Sequence, residues 1–141
     1  MTDFKKFKNI ETKTTISTGE MALSILHGSN SYKITLNRAL VEKLQLVKKA
    51  DAEQQKTIPI ELQILIYGNE LAIGKFIRKD ATVFKGKLTN GMVTFYSTAL
   101  AHAVEESIQY PIPKNRTLRF KNIATDTSEK GNVVAIVTCT K

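Results

Sequence analysis

Tyr32-Lys33-Ile34-Thr35-Leu36-Asn37-Arg38-Ala39-Leu40-Val41-Glu42-Lys43-Leu44 and Val93-Thr94-Phe95-Tyr96-Ser97-Thr98-Ala99-Leu100-Ala101-His102-Ala103-Val104 decide how this chain is read. Each stretch passes from a strand-like run through a polar cap into a short amphipathic helix. Set sixty residues apart, they lay Asn37 on Ser97, Ala39 on Ala99, Leu40 on Leu100 and Leu44 on Val104. Caps and core-facing positions therefore coincide, which is the mark of one supersecondary unit used twice.

Working outward from the first stretch, Met21 to Leu26 reads as a strand, and His27-Gly28-Ser29-Asn30 is turn chemistry, because Gly and Asn tolerate positive φ. Asn37 is a good N-cap, since its side-chain oxygen can accept an unpaired N–H of the first helical turn. Leu40, Leu44 and Val47 share a face at i, i+4 and i+7. The hydrophilic segment 48–57 reads as helix end plus exposed loop. Ile60, Leu62, Ile64 and Ile66 alternate onto one strand face, Gly68-Asn69 signals a hairpin, and Glu70 to Phe76 returns, with Gly74 marking a bulge or a close backbone approach.

The second stretch is framed in the same order. Ala81 to Leu88 and Met92 to Tyr96 flank Asn90-Gly91, a type I′ hairpin signal. Ser97 or Thr98 caps a helix whose Leu100, Val104 and Ile108 share a face. Pro111 and Pro113 force an extended linker over 110–115. Thr117 to Asp126 and Asn132 to Thr140 read as a last pair of strands, and Val133 to Val137 is apolar enough to be covered on both faces. The expectation is an α+β, mostly β fold of two ββαββ repeats sharing one core: an N-terminal arm over 1–19, with Phe4, Phe7 and Ile10 spaced by three, a first repeat over 20–78 and a second over 79–141.

The chain has 141 residues, 42% of them hydrophobic and 24% charged, in the range of a globular protein with one ordinary core. No apolar run approaches the roughly 20 residues of a membrane helix, and the basic start lacks the apolar stretch of a secretory signal, so a cytoplasmic address is expected. The one cysteine, Cys139, excludes an intrachain disulfide and a thiolate cluster. His27 and His102 lie in different copies without a triad or zinc pattern, and Glu105-Glu106, adjacent on a helix, reads as a solvated face. No cofactor, metal or catalytic role is expected.

The first copy resembles the AbrB/MazE-like swapped-hairpin domains. The resemblance rests on Gly28 to Leu46, a turn, a strand and a short helix ending in Leu44-Gln45-Leu46, followed by the hairpin Ile60 to Phe76, and covers roughly residues 21–77. It implies a barrel interlocked from two units, here a pseudo-symmetric barrel within one chain or a homodimer of such chains. It also implies DNA binding of a regulatory, non-catalytic kind. In the segment where the family carries DNA-contacting basic residues stand Lys33 and Arg38, but sixty residues on stand Val93 and Thr98, so a symmetric reading surface is not repeated.

A net charge of +8 favours a polyanionic partner. Double-stranded DNA is the first expectation, met by Lys33, Arg38, Lys75, Arg78 and Lys79. A single strand would instead use stacking candidates among Tyr67, Phe76, Phe84, Phe95, Tyr96 and Phe120. The alternative is a protein-interaction or accessory module of a phage or conjugative element, without sequence-specific DNA binding, using strand edges or the linkers 48–57 and 110–115.

Overall fold

The computed structural model describes residues 20–46, 57–128 and 131–140. The arm expected over 1–19, Val47 and all of the 48–57 loop but Thr57 lie outside the described residues.

Alternation and turn chemistry produce nine strands and two helices among the described residues. They are β1 (Leu23–His27), β2 (Tyr32–Leu36), α1 (Arg38–Lys43), β3 (Ile58–Tyr67), β4 (Glu70–Gly74), β5 (Val83–Thr89), β6 (Met92–Tyr96), α2 (Thr98–Ile108), β7 (Thr117–Phe120), β8 (Ile123–Thr127) and β9 (Val133–Thr138). The hairpins form where the sequence places them. Asn90 and Gly91 both take positive φ, 54° and 80°, as type I′ demands, whereas in the β3–β4 turn Gly68 alone does so, at 60°.

All strands pair antiparallel in the order β7-β1-β2-β6-β5-β3-β4-β9-β8, a nearly closed, barrel-like sheet. Its two ends, β7 and β8, are consecutive in the chain and separated only by Lys121 and Asn122. The single strand expected over 117–126 is thus two strands, and the reason lies in the pleat. Phe120 is buried and Ile123 packs on the core, and an odd spacing of three cannot keep both inward along one regular strand. The chain breaks step there, β7 joins β1, β8 joins β9, and the Asn122 carbonyl accepts Thr138 N–H at 2.8 Å.

The interior is one apolar cluster. Ile25, Ile34, Leu36, Leu62, Leu71, Ile73 and Val93 come from the strands, Leu40, Val41 and Val104 from the helices, and all are fully buried. Each such side chain contributes roughly 1.5–3 kcal/mol by leaving water. Ile60, Leu62 and Ile64 face inward as expected, but Ile66 is 43% exposed because the end of β3 runs past the core. Gly74 is a close approach, since a Cβ there would sit 3.1 Å from the Val133 carbonyl. In β9 only Val134, Ala135 and Val137 are buried, so its cover on the outer side is partial.

The helices are placed by their caps. Asn37 Oδ1 accepts Leu40 N–H at 3.0 Å and also Ala22 N–H at 3.0 Å, while its Nδ2 donates to the Glu20 carbonyl at 2.7 Å, so one side chain starts α1 and ties it to the approach to β1. Ser97 Oγ accepts Leu100 N–H at 3.1 Å and does only the first of these jobs. No helix of the described residues is long and apolar enough to cross a membrane.

Candidate nucleic-acid interface

In the middle of the sheet, the inward row Ile34, Leu36, Leu88, Val93 and Phe95 fixes which residues of β2, β6 and β5 must point outward. Those are Lys33 and Thr35, then Met92, Thr94 and Tyr96, then Lys85, Lys87 and Thr89. Lys33 stands directly opposite Tyr96, and Thr94 opposite Lys87. Gly86 lets β5 press against this neighbour, because a Cβ there would fall 3.0 Å from the Thr94 carbonyl.

Lys33, Lys85, Lys87, Tyr96 and Asn90 border an open groove of about 520 Å³. No ion pair among the described residues engages any of the three lysines. The facing acid by register is Glu61 on β3, opposite Lys85. Two steps away across the same outer surface, Arg119 on β7 lies opposite Ser24, itself opposite Thr35. Three free ammonium groups around a half-open groove attract phosphate, and an aromatic ring beside them offers a stacking face.

The five expected basic residues do not share one surface. Lys33 lies in the groove. Arg38 does not line it: it is ion-paired with Glu42 at 3.5 Å and laid over the β5–β6 turn, where a Cβ on Gly91 would come within 2.9 Å of its Nε. Lys75, Arg78 and Lys79 belong instead to the β4–β5 connection, held down by Gln63, whose buried Oε1 accepts Ile77 N–H at 2.6 Å and Arg78 N–H at 3.1 Å. Arg78 pairs with Asp80 at 2.8 Å and borders a different outer surface, the apolar row Leu65, Ala72 and Ile136.

Lys85 and Lys87, absent from the five expected basic residues, join Lys33 in the groove, and their spacing of two in Val83–Thr89 puts both on one face. Lys33 and Val93, expected as equivalents, face opposite sides of the sheet. Val93 is fully buried, and the residue opposite Ile34 is Phe95, so an offset of sixty matches the helix caps but sets strand residues on opposite faces of the sheet.

The stacking candidates separate by burial. Phe95 and Phe120 are core, and Phe84 packs against Phe95 with ring centroids 5.5 Å apart. Tyr96, 65% exposed, and Tyr67, 87% exposed, present free rings, and only Tyr96 does so in the basic groove.

A second polar cluster brings together residues the sequence gave no reason to join. His27 stacks on Tyr32 at 4.2 Å, and His102 meets the same ring edge-on at 5.2 Å. Glu105, expected on a solvated face, is only 12% exposed at its side chain and accepts Ile112 N–H at 2.6 Å and the Tyr32 hydroxyl at 3.4 Å. His27 Nδ1–H donates to the Ile112 carbonyl at 2.7 Å. Burial first, and the Glu105 charge second, push the Tyr32 phenol above its usual value. The cluster grips the 110–115 linker from both sides, and no group of three or more His, Cys, Asp or Glu side chains among the described residues could hold a metal.

Comparison of the chain with protein-family models, with curated proteins and with solved structures gives no match.

Proposed function

We propose that this chain is a non-catalytic DNA-binding protein of a regulatory kind, in which two AbrB/MazE-like hairpin units share one barrel as a pseudo-dimer. The observation that carries the reading is the outer wall of β2, β6 and β5, where Lys33, Lys85 and Lys87 border one groove with no ion-pair partner among the described residues.

Strand adjacency supports the duplication. Let β1 exchange with β5, β2 with β6, β4 with β9, and β3 with β7 and β8 taken together. The pairs β1·β2 and β5·β6 then trade places, as do β3·β4 and β8·β9, and β3·β5 and β1·β7, while β2·β6 and β4·β9 return to themselves. β3 bonds β5 along its first half and β4 along its second, which is the role β7 and β8 divide. Interlocking of this kind gives two small units a common core and short edges.

The interaction-module reading has its own support in the apolar row Leu65, Ala72 and Ile136 beside the exposed Tyr67, a wall that a partner protein would cover. Light scattering after size exclusion, with and without DNA, separates the two. The DNA reading expects a monomer that joins DNA with a log–log salt slope of about −2 to −3, from some three phosphate contacts. A monomer indifferent to DNA at low salt removes it and leaves the apolar wall as the working surface.

A further inference from the structure

We infer that the basic wall takes a single strand, with Tyr96 as the platform on which an unpaired base stacks and the lysines as its phosphate track. This rests on the wall's being the nucleic-acid surface and goes further by naming the form of the ligand. Three observations lead to it.

The first is shape. β2, β6 and β5 are each hydrogen-bonded on both sides within the sheet, and both helices are packed down by Leu40 and Val41 in α1 and by Leu100, Ala101 and Val104 in α2. A major groove admits a helix or a two-stranded ribbon, and a continuous wall is neither. The second is the ring. Tyr96 is 65% exposed with Lys33 directly across from it, and a base can use such a ring only when its own face is free, which pairing and stacking in a duplex prevent.

The third is handedness of charge. Exchange of the two halves carries the outer residues of β2 onto β6 and those of β5 onto β1, yet β6 presents Met92, Thr94 and Tyr96, and β1 presents Ser24 and Leu26, none of them basic. A dyad-symmetric reader suits a palindromic duplex, whereas a wall on which Lys33, Lys85, Lys87 and Tyr96 all lack counterparts under that exchange suits a strand with direction. From Arg119 on β7 to Lys87 on β5 is four inter-strand steps, at most roughly 19 Å. That is room for about four to six nucleotides.

The test is fluorescence anisotropy of the full chain with a labelled oligothymidylate and with a blunt duplex of matching length, each over a salt series. Wild type, Tyr96→Ala, Tyr96→Phe and the double variant Lys85→Gln/Lys87→Gln are compared, with circular dichroism confirming that each is folded. The wild type is expected to hold the single strand about tenfold tighter than the duplex. Tyr96→Ala should lose roughly tenfold on the single strand alone and Tyr96→Phe should restore it, since stacking needs the ring and not the hydroxyl. The lysine variant should weaken both ligands and flatten the salt slope by about 1.4 on the single strand. Equal or tighter duplex binding, or an unchanged single-strand affinity in Tyr96→Ala, overturns the inference while leaving DNA binding standing. Failure of the wild type to bind either ligand overturns both.

Discussion

Of the four strand junctions between residues 20–78 and 79–141, two, β2·β6 and β4·β9, are alike inside and different outside. Inward, Ile34 lies beside Phe95 and Leu36 beside Val93 at one, and Leu71 beside Val137 and Ile73 beside Ala135 at the other. Outward, the first presents Lys33 with Tyr96 and Thr35 with Thr94, the second Ala72 with Ile136. Packing dictates the inner set, because a barrel interior tolerates neither voids nor unpaired polar groups. The outer set is free of that demand, so packing of the interior does not dictate the difference between the walls.

The comparison breaks first if the interiors are unequal. Ile34→Ala and Ile73→Ala remove fully buried side chains at the two junctions, and each should cost about 2–5 kcal/mol in urea unfolding. A small loss at one alone would show that its junction is not part of the common core.

Next come the caps that follow β2 and β6. Asn37→Ala forfeits the cap together with the bonds to Ala22 and Glu20, for about 2–3 kcal/mol, whereas Ser97→Ala forfeits a cap alone, for about 1 kcal/mol. Thermal melts of the two variants should rank in that order.

Alkaline titration sharpens the comparison further, because each junction has a buried acid nearby. Burial raises the Cys139 thiol from 9.0 to about 11, beside β4 and β9, and raises the Tyr32 phenol at the start of β2. Both folded-state values lie above the unfolded ones, so the native state holds these protons more tightly. The stabilisation is complete below pH 9 and drains as pH climbs past the unfolded values towards the folded ones. Cys139→Ala should flatten the fall between pH 9 and about 11, and Glu105→Gln should bring the Tyr32 phenolate signal to lower pH in ultraviolet titration.

The smallest effects belong to the outer walls. Lys85→Gln and Lys87→Gln should each leave stability within about 0.5 kcal/mol of wild type, Ile136→Ser, at a half-buried strand position, should cost about 1 kcal/mol, and only the lysine changes should alter nucleic-acid binding. An equal loss of binding in Ile136→Ser would erase the distinction between the walls.

What the sequence disclosed was local. The Asn90-Gly91 turn, the Asn37 and Ser97 caps and the inward set Ile60, Leu62 and Ile64 are written within a few residues, where backbone preference and period decide. Partners chosen across the sheet were not readable in this way. Nothing local unites His27 with His102 around Tyr32, places Arg78 on a wall away from Lys33, or turns Glu105 from solvent towards the 110–115 linker. Even the face of Val93 depended on the register with β2, and a slip of one residue reverses every side chain. The break at Lys121-Asn122 was hidden for the same reason, since it answers to the separate neighbours of β7 and β8.

That break has a consequence for how the protein is made. During synthesis, β1 through β6 leave the ribosome as a sheet whose flanks, at β1 and β4, have no strand to bond. Both are relieved only when residues 117–138 follow, the same short stretch supplying β7 to one flank and β9 to the other. Until then the nascent chain offers two ready templates for pairing with a neighbour, so closure by residues 117–138 is the step at which crowding or a stalled ribosome would turn folding into aggregation.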